Sequence, residues 1–221
     1  MTAKKSTAKK KQSREGIMTL FMEQCLMQEH PPKSVFKFCK ENNLTEADFY
    51  HYFGSFESLQ KEIWNHFFDH SKSLLQKSAE YEAASTRDKM LMFYFTFFEV
   101  LTANRSYAIF ILQDARDAMK HMAQLSGLRA RIKEFAGQLI EATNETKQLK
   151  VLKQPVSVFS EGAWLQTLFI LKYWMSDNSP GFEKTDMVIE KSVRAIFDIF
   201  ETTPLESVID FGKFLWKEKM N

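Results

Sequence analysis

The chain has 221 residues and a formal net charge of +2, with 30 Lys and Arg against 28 Asp and Glu, so it is long enough to bury one large core or two small ones. Its 21 phenylalanines beside only 7 glycines and 5 prolines favour continuous helices over a turn-rich β architecture. The two cysteines, Cys25 and Cys39, have no metal-ligand or disulfide-framework spacing, and the most apolar run, Met90 to Leu101, is broken by Thr96 and Glu99 and is shorter than the roughly 20 residues that span a bilayer. An all-α protein is expected, in a reducing, cytoplasmic setting, with no membrane segment, metal or cofactor.

Residues 1–14 carry Lys4, Lys5, Lys9, Lys10, Lys11 and Arg14 and no acid, so without these six charges the remainder nets −4. The segment 1–13 is polar and lysine-rich and cannot build a core; it reads either as a solubilising terminus or as a basic disordered arm that neutralises phosphates or enters a minor groove. From residue 15 to about 29, Ile17, Leu20, Phe21, Gln24 and Cys25 recur at i, i+3, i+4, i+7 and i+8, a helix face broken only by the glutamine. Pro31-Pro32 ends that helix, and Ser34 is a good N-cap for a second one, Val35 to Glu41, with Val35, Phe38 and Cys39 on one side. Asn42-Asn43 reads as a tight turn, because Asn tolerates the left-handed conformation. Thr45 then caps a third short helix bearing Phe49, Tyr50, Tyr52 and Phe53, which Gly54-Ser55 closes. Three short helices in this order make a tri-helical helix-turn-helix whose third helix would read DNA.

Ile17, Val35 eighteen residues later, Phe38-Cys39, Asn42-Asn43, the block Tyr50-His51-Tyr52-Phe53 and Leu59 fall at the separations of the N-terminal signature of the TetR family of repressors, which the chain resembles over residues 14–64. The resemblance implies a DNA-binding domain over 14–58 and, over 59–221, a helical domain that dimerises and binds a ligand. Three departures bear on charge: Asn43 stands where Gly is usual, Glu46-Ala47-Asp48 where Lys-Gly-Thr is common, and Phe56 where a phosphate-contacting Lys usually follows. Over residues 15–60 the lysines Lys33, Lys37 and Lys40 meet seven acids, a net of −4 and a poor match to DNA. A carboxylate can still accept from a cytosine amino group, so Glu46 or Asp48 could specify sequence. The DNA-binding candidates are Lys9, Lys10, Lys11, Arg14, Ser34, Thr45, Glu46, Tyr50 and His51.

From Phe56, Leu59, Ile63, Phe67 and Leu74 describe a long helix, which in this family connects the reading head to the ligand domain. His66 and His70 share one of its faces, but Phe67 stands where a zincin has Glu, so a solvated or half-buried pair is expected. Further helices are expected over Thr86–Ala103, from Ser106 to about Asp114, and from Asp117 to about Thr143. The first of these carries aromatic rings around most of its circumference and must be enclosed. Its rings read either as plain core or as the lining of a cavity for a small hydrophobic ligand, with Phe93, Tyr94, Phe97, Tyr107, Phe110 and Gln113 as candidates. Val158 to Met175 and the helix after Pro180 are strongly apolar, and the resemblance implies that two late helices from each subunit form a four-helix homodimer interface; Trp164, Leu168, Phe169, Val193, Ile196 and Phe200 are its candidates. Leu205 to Asn221 reads as an amphipathic helix packed on its own domain. No catalytic constellation stands out, so no enzyme is expected. Two functions compete: a TetR-like regulator that binds operator DNA as a dimer and responds to a ligand, or an interaction protein that kept the fold and lost DNA binding.

Overall fold

The structure, a computed structural model, describes residues 12–113, 122–145 and 154–202. Among these residues every regular element is helical, so the all-α class follows directly. The helices are α1 (Arg14–Gln28), α2 (Val35–Glu41), α3 (Glu46–Tyr50), α4 (Phe56–Leu75), α5 (Ala79–Ala83), α6 (Thr86–Ala103), α7 (Arg105–Leu112), α8 (Ser126–Glu145), α9 (Val156–Ser176), a 3-10 turn (Pro180–Phe182) and α10 (Glu183–Thr202). The chain divides into two compact units, Met1–His66 with Asn104–Ser126, and Phe67–Ala103 with Gly127–Asn221.

In the first unit the local signals set the helix boundaries. The Ser13 hydroxyl accepts from the Gly16 amide and starts α1, and the Ser34 hydroxyl accepts from the Lys37 amide and starts α2. Asn43 takes φ 57°, the left-handed turn expected of it. Thr45 and Asp48 form a reciprocal capping box on α3: the Asp48 amide donates to the Thr45 hydroxyl at 3.1 Å, while the Asp48 carboxylate accepts from the Thr45 amide at 3.0 Å. That helix is shorter than the spacing predicts, ending at Tyr50 because Tyr52 and Phe53 already bond back to the Phe49 carbonyl in a turn.

One aromatic cluster holds the unit together. Phe56 lies 5.4 Å from Phe21, 5.7 Å from Phe38 and 5.4 Å from Phe49, centroid to centroid, the last two edge-on. The rings of Phe21, Phe38 and Phe49 are fully buried, and α7 packs on α1 with Tyr107 edge-on to Phe21 at 6.5 Å. Each such pair adds about 0.5–1.5 kcal/mol beyond the area it buries.

In the second unit α10 packs on α6 and α9. The Trp174 indole donates to Thr102 at 3.0 Å, and Phe98 lies edge-on to the same indole. Asp177 organises the chain between α9 and α10: its carboxylate accepts from the amide and hydroxyl of both Ser179 and Thr185 at 2.6–2.9 Å. Burial pulls the Asp177 pKa upward, but those hydrogen bonds outweigh it and hold the carboxyl well below the usual range. Of the helix expected from Asp117, residues 117–121 lie outside the described residues, 122–124 are helical, Leu125 is a buried turn residue, and α8 continues from Ser126.

Both thiols are free and buried. Burial pushes Cys25 up to about 12 and raises Cys39, with Glu46 and Asp48 adding to the second shift. Neither thiol should therefore alkylate with iodoacetamide at pH 8 until the chain unfolds; rapid labelling of the native protein would contradict this burial. Thr45→Ala should cost about 1 kcal/mol in urea unfolding, the worth of an N-cap. Asp177 contributes stability above its unfolded pKa, and that contribution should fade as the pH falls through and below the usual carboxylate range, but not in Asp177→Asn.

Candidate functional site

The capping box fixes the start of α3 and thereby the direction in which its side chains leave the backbone. Phe49 and Phe53 point into the core at 0% and 2% exposure, whereas Tyr50 is 53% exposed. Glu46, Ala47 and His51 are exposed with it. Ser34 and Thr45 face solvent, but their hydroxyls are used as caps, so they position helices. The two carboxylates also separate in role: Asp48 is engaged by the Thr45 amide and hydroxyl, while Glu46 stands exposed in the first turn. Of the two acids that the sequence leaves open as base readers, Glu46 is the one presented.

Several charges are spent inside this unit. Arg14 pairs with Glu62 of α4 and lies 5.9 Å from the Phe53 ring, a partnership that the sequence does not reveal because it joins positions 48 residues apart. Lys37 lies 3.6 Å from Glu41, which also accepts from Gln24. Lys33 and Lys40 are exposed. The basic arm with Lys9, Lys10 and Lys11, and the amphipathic helix expected over Leu205 to Asn221, lie outside the described residues.

The ligand candidates fall into different units. Phe93, Tyr94 and Phe97 belong to the second and are fully buried. Phe93 stacks on Phe97 at 5.6 Å and meets Phe135 of α8 at 4.7 Å, and the Tyr94 hydroxyl donates to the Ala163 carbonyl at 2.9 Å, with Thr167 at 3.2 Å. Tyr107, half-buried Phe110 and exposed Gln113 belong to the first. The Tyr107 hydroxyl is buried without a hydrogen-bond partner among the described residues. His66 is half-buried and His70 exposed, and the described residues contain no group of three His, Cys, Asp or Glu placed to hold a metal. No described helix is long and apolar enough to cross a membrane.

On the second unit two open features stand out. The first is a groove of about 400 Å³ between α4 and α8, bounded by Phe68, Lys72, Arg131 and Phe135 among others. The second is a set of exposed apolar side chains on α9 and α10. Trp164 and Val193 lie at 3% and 1% exposure and Phe200 packs on Phe159 at 5.1 Å, so these candidates serve the unit's own core. Phe169 is 55% exposed, and Leu168 and Ile196 are partly so. Leu165, Met187 and Ile199 lie on the same two helices, are not among the named candidates, and face solvent. On α9, Leu165 and Phe169 follow Gly162, beyond whose missing Cβ nothing lies within 4 Å. The stripe is therefore open to close approach.

The family model for the tetracyclin repressor-like C-terminal domain matches residues 89–215, which is 127 of the 221 residues. No curated protein matches the chain.

The burial pattern of α3 separates scaffold from surface. Phe49→Ala should destabilise the protein by about 3–5 kcal/mol, the cost of emptying a packed aromatic site. Tyr50→Ala should cost within about half a kcal/mol of nothing beyond its ring contact with Phe49. Comparable losses for the two variants in urea titrations would place Tyr50 in the core after all.

Proposed function

The chain belongs to the TetR family, and from that premise we propose that it is a transcriptional regulator that grips operator DNA as a homodimer and responds to a small ligand. The observation that carries this reading is the surface of the reading head. A capped α3, anchored by buried Phe49 and Phe53, offers Glu46, Ala47, Tyr50 and His51 to solvent on one short helix. Such a helix fits a major groove, where Glu46 accepts from a cytosine amino group and the remaining side chains contact base edges or phosphates.

Charge assigns the phosphate contacts elsewhere. The folded motif is acidic, and Arg14 and Lys37 already have carboxylate partners. Affinity that does not depend on base sequence then comes chiefly from Lys4, Lys5, Lys9, Lys10 and Lys11, ahead of the first helix. Dimerisation through α9 and α10 would cover Leu165, Phe169 and Ile199, whose exposure is otherwise unfavourable in water. It would also present two reading heads, which adjacent major grooves require at about 34–36 Å.

A second reading is supported by the same acidity: a TetR-fold interaction protein whose head no longer binds DNA. Selection from a genomic DNA library at low and moderate salt decides between them, since sequence-specific retention supports the regulator and absence of binding at low salt supports the interaction protein. If DNA is bound, deleting residues 1–11, which leaves the Ser13 cap in place, should flatten the slope of log affinity against log salt by several units per dimer while base preference survives, at about 0.9 per phosphate neutralised. Glu46→Gln should instead change preference at one position per half-site and leave the slope nearly unchanged. Leu165→Glu with Phe169→Glu should shift the protein to a monomer in sedimentation without unfolding it, because both side chains are exposed in the single chain; a wild-type monomer at micromolar concentration would reject the dimer.

A further inference from the structure

The groove between α4 and α8 has an arrangement of charge that the regulator reading does not use. Its two arginine and aspartate charges cancel: Arg131 donates to Asp69 through Nε at 3.0 Å and Nη2 at 3.3 Å. Glu134 stands exposed at the rim, 3.3 Å from the Gln138 amide. Lys72 is different. It has no carboxylate within 4 Å among the described residues. Its ammonium lies 4.1 Å from the centroid of Phe135 and 5.5 Å from that of Tyr81, with the Tyr81 hydroxyl at 3.4 Å. Burial lowers its pKa, an effect that Glu82 opposes and Lys89 reinforces. A partly desolvated cation held over aromatic faces, without an anion, is a site at which a carboxylate gains a charge-assisted hydrogen bond at little reorganisation cost.

The rest of the groove states what the carboxylate would be attached to. Phe68 and Phe135, 6.3 Å apart and both in contact with Phe93, form an apolar floor beside Lys72. The volume of about 400 Å³ is that of a small-molecule site rather than a water pocket. We propose that the groove between α4 and α8 binds a small amphipathic carboxylate, its anionic end on Lys72 and its ring or acyl chain on Phe68 and Phe135. The inference rests on the ligand-responsive reading above and names the ligand class for it. Lys72 and Phe68 both belong to α4, so an occupant of this groove touches that helix directly.

The test uses the full-length protein and four probes, benzoate and octanoate with their neutral amides benzamide and octanamide, titrated by calorimetry and by ligand-observed NMR. At least one carboxylate should bind, at least about tenfold more tightly than its amide. Lys72→Met keeps the apolar stem and should abolish that preference, whereas Lys72→Arg should retain it; thermal melts show that both variants fold. Binding of acid and amide alike, undiminished binding by Lys72→Met, or no binding of either carboxylate at millimolar concentration would overturn the proposal. DNA retention is measured separately. Binding to DNA without carboxylate binding rejects this inference alone, and carboxylate binding by a protein that never retains DNA rejects the DNA-regulator reading alone.

Discussion

The packing of the first three helices depends on the contact of Phe56 with Phe21, Phe38 and Phe49. An isolated five-residue helix such as α3 does not form in water, because nucleation costs more than one turn of hydrogen bonds returns. It exists here because Phe49 is gripped by rings from α2 and α4 while the Thr45–Asp48 capping box satisfies its first amides. The aromatic cluster carries no hydrogen-bonding group that would need a buried partner, so it fixes the mutual placement of α1, α2, α3 and the start of α4 by shape alone.

That choice has an electrostatic consequence. Phe56, packed among these rings, carries no charge to offer a phosphate, and the Arg14 cation is matched by Glu62. Under the proposed function, the acidic balance of residues 15–60 would separate two tasks that a basic motif combines, with base recognition on α3 and phosphate neutralisation on the lysines before Ser13. Under the proposed function, salt would therefore tune affinity through one segment and sequence would tune it through another.

The second unit shows a similar division between packing and access. Around α6 the hydroxyl of Tyr94 and the indole of Trp174 are tied to Ala163 and Thr102, and Phe93 and Phe97 stack, so the polar groups at this core are satisfied within the unit. Lys72 is a cation matched by rings rather than by a carboxylate, and it borders open space. Under the inference drawn above, such a group is the point of entry for an anion.

The sequence by itself determined what local physics controls. Ser34, Asn43 and Thr45 mark the ends of α2 and α3 because an N-cap or a left-handed residue acts on its own backbone neighbours. The spacing of Ile17, Phe21 and Cys25 identifies the buried face of α1, and the family resemblance read from residues 14–64 agrees with a C-terminal match over 89–215. Where a helix is apolar on several faces, periodicity no longer says which face the chain covers itself. Trp164 and Val193 went inward while Leu165 and Phe169 stayed out, because the positions of α6 and α10 beside α9 decide it. The Arg14–Glu62 pair, the grouping of Tyr107 with α1, and the setting of Lys72 over Phe135 each join residues distant in sequence. Only the tertiary structure could place them, since no propensity of a single segment records what will be packed against it.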